Sequence, residues 1–165
     1  MEPCTGAARR RLLNEFKTLQ NERYCHNNSF FSTSPDKNDI LKWNAVIFGA
    51  DGSLHENGIF KLVMIFCHKY PYKPPKIKFL SRIFHPNVSP DGTVCSETLQ
   101  KNWSPATTVD LILKSLLSLL DNPCLANETN YNPRATYLFQ TNKLEYTNFV
   151  IDCVNESLDD DDTDE

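Results

Sequence analysis

A chain of 165 residues, 40% of them hydrophobic, is long enough for one domain with a sizeable core and a short tail besides. It holds no run of about 18 apolar residues, so no membrane-spanning helix is expected, and its basic N-terminus lacks the apolar stretch of a secretory signal. The formal net charge of −4 is unevenly placed: residues 157–165 carry six acids and no base, which leaves the body at +2.

Ala8, Leu12, Leu13, Phe16 and Leu19 recur at helical spacing and predict an amphipathic helix over 7–20, with Arg9, Arg10, Arg11 and Lys17 off its apolar side. Residues 21–37 are polar and read as a loop holding a short strand near 30–32. Three strands follow, over 40–48, 58–66 and 76–79, punctuated by the turn residues Gly49, Gly52 and Gly58. With no helices between them they pair antiparallel, because a parallel pair needs a long crossover. Residues 69–76 hold three prolines, which remove three backbone donors, so this stretch reads as a stiff exposed loop carrying Tyr72. Thr107 or Thr108 caps an apolar helix reaching about Leu120, with Thr107 and Asp110 spaced as a capping box. Val109, Ile112, Leu113, Leu116, Leu117 and Leu120 make its stripe the widest in the chain, so this helix should be the most buried. Asn132 and Pro133 start a further helix over 134–140. A last helix over 143–157 carries Leu144, Tyr146, Phe149, Val150, Cys153 and Val154, and the acidic residues 158–165 have too few apolar side chains to fold. The expectation is therefore an α+β core over 1–157 with a disordered acidic tail over 158–165.

Cys4, Cys25, Cys67, Cys95, Cys124 and Cys153 are widely spread, with no Cys-x-x-Cys pair, and the four histidines lack zinc spacing. Without a secretory signal they read as reduced thiols of the cytoplasm or nucleus. No Gly-rich phosphate loop is present, so neither a metal nor a bound nucleotide is expected. The chemistry-bearing stretch is 84–95. Ser89, Pro90, Asp91 and Gly92 form a turn: Pro90 presets φ, Asp91 can bond its own backbone, and Gly92 tolerates positive φ. The turn brings Asn87 back toward Cys95, eight residues on. A thiol beside a side-chain amide is an acyl-transfer pair, the sulfur attacking or leaving and the amide N–H donating to an oxyanion.

The tripeptide His85-Pro86-Asn87, the Gly92–Cys95 spacing, Tyr70-Pro71 with Pro74-Pro75, Trp43 and Trp103 together resemble the ubiquitin-conjugating enzymes, over about residues 7–157. The resemblance implies an α+β fold: N-terminal helix, four-stranded antiparallel sheet, active-site cysteine loop, central buried helix and two C-terminal helices. It implies that Cys95 accepts ubiquitin as a thioester from the ubiquitin-activating enzyme, which spends ATP upstream, and passes it to a substrate lysine with a RING or HECT ligase. Asn87 would stabilise the oxyanion or brace the loop. His85 and Pro86 would be structural, His85 as a hydrogen-bonder rather than a base. Arg9 and Arg10 on the first helix, Tyr72, and the Ser104-Pro105-Ala106 turn match the partner-contacting positions. The acidic tail and the sequence around Arg9–Arg11 are most similar to the histone-modifying branch, where the tail would draw basic substrates.

Four departures stand out. Ser96 and Glu97 follow the cysteine where the family usually has an aliphatic residue and Asp, and residues 49–55 lack the family's hairpin prolines and tyrosine. Residues 123–132 are about two longer than usual, and Asn127 or Glu128 falls there at the gate to the thiol. Two other functions fit the same residues: an inactive scaffold of this fold, or a carrier for another ubiquitin-like modifier. No membrane and no direct nucleic-acid contact is expected of any of them.

Overall fold

The computed structural model describes residues 6–25, 30–126 and 131–159, with the side chains of 22–25 and of Thr98 left out. Cys4, Asn127, Glu128 and the tail beyond Asp159 lie outside the described residues. The order is α1 (Gly6–Cys25), β1 (Phe31–Pro35), β2 (Lys42–Phe48), β3 (Ile59–Ile65), β4 (Lys76–Phe79), α2 (Ser96–Gln100), α3 (Val109–Asp121), α4 (Pro133–Thr141) and α5 (Lys143–Asp159). This is the expected α+β arrangement with one addition, the short α2. No described helix is long and apolar enough to cross a membrane.

The strands form an antiparallel meander, β1-β2-β3-β4. Alternation sends Trp43, Ala45 and Ile47 of β2, Phe60, Leu62 and Met64 of β3, and Ile77 and Phe79 of β4 to one face. That face meets Val109, Ile112, Leu113, Leu116 and Leu120 of α3 and Ala8 and Leu12 of α1 in a single core. Trp43 sits at its centre, its indole N–H donating to Ile40 O at 2.9 Å and its ring edge-on to Phe16 and Phe66. A second cluster joins α4 and α5 around Phe84: Ala135, Leu138, Tyr146, Val150 and Cys153, with Phe149 stacked on the Phe84 ring.

Side-chain caps set the helix ends. Thr108, not Thr107, caps α3, its hydroxyl accepting from Leu111 N; Thr107 instead accepts from Ser104 N and closes the turn before it. Asp110 is drawn to Lys114 at 2.9 Å rather than back to the cap, so the expected capping box does not form. Asn132 caps α4 as expected. Asn142 caps α5, its Oδ1 accepting from Glu145 N and its Nδ2 donating to the Glu145 carboxylate, a cap the sequence reading missed.

Several expectations are corrected. Leu13 and Leu144, counted with the apolar faces of α1 and α5, are exposed, because each lies at the rim of its stripe. Arg11, placed with Arg9 and Arg10 off the apolar side, is half-buried over the Tyr70 ring. The proline loop is only partly exposed: Tyr70 and Pro75 are buried while Tyr72 projects with 77% exposure.

Beneath that loop lies a residue the sequence reading passed over. Glu15 of α1 is buried, accepts from Tyr70 Oη at 2.7 Å and from Arg11 Nε at 2.5 Å, and accepts the Val109 N–H at 2.7 Å. Its carboxylate thus satisfies a donor in the first turn of α3. Ala8, Leu12, Glu15 and Leu19 share one helical stripe, so an acid on the apolar face was the available signal.

Candidate active site

The loop after β4 is tied back onto the sheet before it reaches Cys95. Phe79 N donates to Gly92 O at 2.8 Å and Val94 N to Ile77 O at 3.0 Å. Gly92 N donates to Ser89 O at 2.8 Å, closing the turn. Gly92 has φ +91° and a Cβ there would meet Phe79 O at 2.1 Å, so only glycine fits both the turn and the strand. Asp91 fastens the same turn, accepting from the Ser89 hydroxyl and from the Thr93 N–H and hydroxyl; these bonds, the Ser89 one first, hold its carboxyl down to about 2.

Asn87 and Cys95 meet as the turn requires. The Cys95 N–H donates to Asn87 O at 2.9 Å, and Cys95 opens α2. The Asn87 side chain is bonded to another segment: Nδ2 donates to Cys124 O at 2.7 Å and Oδ1 accepts from Cys124 N at 2.8 Å. One asparagine therefore clamps the segment after α3 to the cysteine loop. Its amide nitrogen carries two protons, and Cys124 O takes one of them. Cys95 is fully buried, whereas Cys124 is partly exposed; Cys67, Cys95, Cys124 and Cys153 are all free thiols.

His85 is committed to structure. Its Nε2 lies 2.8 Å from Leu119 O, and its Nδ1 accepts from Asn87 N at 3.0 Å. A carbonyl can only accept and an amide N–H only donate here, so the ring is the neutral Nε2–H tautomer with both nitrogens used. It joins the cysteine loop to the end of α3, and burial pushes its pKa down to about 3. A second buried histidine, His55, lies edge-on to Phe60 with Nδ1 unbonded and 3.9 Å from Asp121 Oδ1; burial lowers it to about 4.

Both histidines have folded values below the ordinary 6.5, so the unfolded chain binds more protons than the folded one in the acid range. Stability is expected to fall with pH from 6.5 down to about 4 for His55 and about 3 for His85, by up to about 1.4 kcal/mol per pH unit each. His55→Phe keeps the packing on Phe60 and should flatten the pH dependence of the urea midpoint over its window. Equal slopes in mutant and wild type would refute this.

The remaining candidates lie apart from the thiol. Arg9 and Arg10 are exposed on α1, and Ser104, Pro105 and Ala106 are exposed in the turn before α3. Trp103 links that turn to the proline loop, its Nε1 donating to Pro71 O at 2.8 Å. Tyr72 and the 104–106 turn are therefore held on one connected pair of loops, while Pro86 stays with the cysteine loop.

An antiparallel meander backed by one buried helix, with a cysteine loop leaving its last strand, is the α+β architecture expected above for protein-modifier conjugation. The family model described as "Ubiquitin-conjugating enzyme" matches residues 11–154. The chain is similar to ubiquitin-conjugating enzyme E2 1 of Caenorhabditis elegans, 42% identical over 153 residues that cover 93% of this chain and 77% of the relative. It is similar also to ubiquitin-conjugating enzyme E2 2 of Fusarium solani, at 41%, and to E2 3 of Arabidopsis thaliana, at 40%, with 93% of this chain and 98% of each relative covered. The chain belongs to the ubiquitin-conjugating enzyme family.

Proposed function

We propose that Cys95 accepts ubiquitin as a thioester from the ubiquitin-activating enzyme and yields it to a substrate lysine with the help of a RING or HECT ligase. The observation that carries this is the Asn87 junction, which bonds the backbone of Cys95 on one side and of Cys124 on the other. Sulfur suits the role because a thioester is open to attack by an amine and a thiolate leaves readily. In this reading the chain binds no metal or cofactor of its own, and ATP is spent by the activating enzyme. The free thiols support a cytoplasmic or nuclear setting. The test is incubation with activating enzyme, ATP and ubiquitin: a reductant-sensitive adduct is expected, and its absence would favour a binding scaffold or another modifier.

Asn87 braces the loop and has one amide proton to offer an oxyanion. Asn87→Ala should therefore charge at near wild-type yield but discharge to lysine about 10²–10³ times more slowly. Equal single-turnover discharge rates would leave only the brace.

Tyr72 is an aromatic side chain on a loop braced by Trp103, which fits a ligase anchor together with Ser104, Pro105 and Ala106; Arg9 and Arg10 fit contacts of the first helix with the activating enzyme or ligase. Tyr72→Ala should weaken ligase binding by about 2 kcal/mol without moving the melting temperature. A shifted melt with unchanged binding would make it a packing residue.

A further inference from the structure

One face of the sheet is filled by the core, and the other is basic, with only Val63 at its centre buried. The register sets Lys42 opposite Ile65 and Ile65 opposite Lys76, then Asn44, Val63 and Lys78 in the next row, and Val46 opposite Lys61 beyond it. Alternation sends all of these away from the buried Trp43, Leu62 and Phe79. The strands thus place four lysines on this face and no carboxylate; Asp91 of the adjoining turn reaches its edge, 3.6 Å from Lys78. Ile65 and Leu80, 44% and 63% exposed, lie among the lysines.

The last helix delivers a strong anion to the rim of that face. Ile59 N, at the start of β3, donates to Ser157 Oγ at 3.0 Å, and Arg82, just past β4, bonds Glu156 at 2.5 Å. A strand N–H points within the plane of its sheet, and β4 pairs only Leu62–Ile65, so the end of α5 meets β3 where its first residues lack a strand on that side. Residues 160–165 follow, five acids in six positions. Extended at roughly 3.3 Å per residue they reach about 20 Å, the length of a seven-residue strand such as β3. The inner face is already packed, so the outer face is the only one open to them.

We infer that the acidic segment 160–165 docks on the lysine face of β2, β3 and β4 within the same molecule. Each exposed pair contributes little alone, but a tether this short holds the two charge sets at millimolar effective concentration. The contact is ionic and exposed, so raising salt from a Debye length of about 8 Å to about 3 Å at 1 M releases it.

Carbodiimide cross-linking joins a carboxylate to a lysine amine with no spacer and reads the docking directly. In full-length protein at low salt, peptide mapping of the monomer band should join the tail to Lys42, Lys61, Lys76 and Lys78 several-fold more often than to the exposed Lys17, Lys37 and Lys101, and 1 M salt should erase the preference. Equal yields at all of these lysines would overturn the inference, as would cross-links found only in dimers that grow with concentration, which would assign the tail to a second copy. An independent readout leaves the lysines intact: neutralising Asp160, Asp161 and Asp162 to asparagine should shift the backbone amide resonances of 59–65 and 76–80, and unchanged resonances there would equally refute it.

Discussion

Cys95→Ala is expected to abolish the ubiquitin adduct entirely. Any surviving reductant-sensitive species would have to sit on another thiol, and the partly exposed Cys67 and Cys124 make that a real alternative. Two further variants separate a lost nucleophile from a damaged loop. Cys95→Ser retains a small buried side chain and should form an oxygen ester, while Cys95→Lys should form an amide; both resist reductant. The Cys95 backbone N–H bonded to Asn87 O is untouched by any of the three substitutions. Unchanged far-UV dichroism beside lost charging therefore assigns the chemistry to the sulfur. Undiminished charging of Cys95→Ala would sink the assignment.

Glu15→Ala is expected to be the most destabilising single polar change in the domain. It removes the acceptor of Tyr70 Oη, of Arg11 Nε and of Val109 N, and leaves a buried hydroxyl and a buried amide unpaired. Breaking a buried charged network by removing one partner costs about 3–5 kcal/mol. For a domain of this size that lowers the melting temperature by roughly 10 °C. Tyr70→Phe takes away only one donor and should cost about 1 kcal/mol. The two effects should be non-additive, because both act on one carboxylate. A Glu15→Ala melt within 2 °C of wild type would show that water or Arg11 replaces the carboxylate, and the network would lose its structural role.

This network matters to function through what it holds. Tyr70 lies in the loop carrying Tyr72, Val109 opens the central helix, and Arg11 Nη2 also donates to Thr107 O at 3.2 Å. The first helix, the proline loop and the turn at 104–106 are thus coupled through Glu15 and its partner Arg11. Those are the three segments proposed to meet the activating enzyme and the ligase.

The sequence alone determined whatever depends on neighbours in the chain. Alternation placed Trp43, Ala45 and Ile47 inward, the 3.6-residue period marked the buried stripe of α3, and Asn132-Pro133 marked the start of α4. The Ser89–Gly92 turn and its positive-φ glycine were legible for the same reason, since turn chemistry is local. The His85-Pro86-Asn87 motif and Cys95 were legible as a resemblance, which carries a role without its geometry. What required the folded chain were the partners of side chains far apart in sequence. His85 can be a base or a strut until Leu119 and Asn87 occupy its two nitrogens. Asn87 has no visible brace partner until Cys124 bonds its amide, and Glu15 looks like one more surface acid until Tyr70 and Val109 arrive from 55 and 94 residues away. A buried hydrogen-bonding group must find a partner, but periodicity reports only that a position is buried; which partner meets it is decided by tertiary packing.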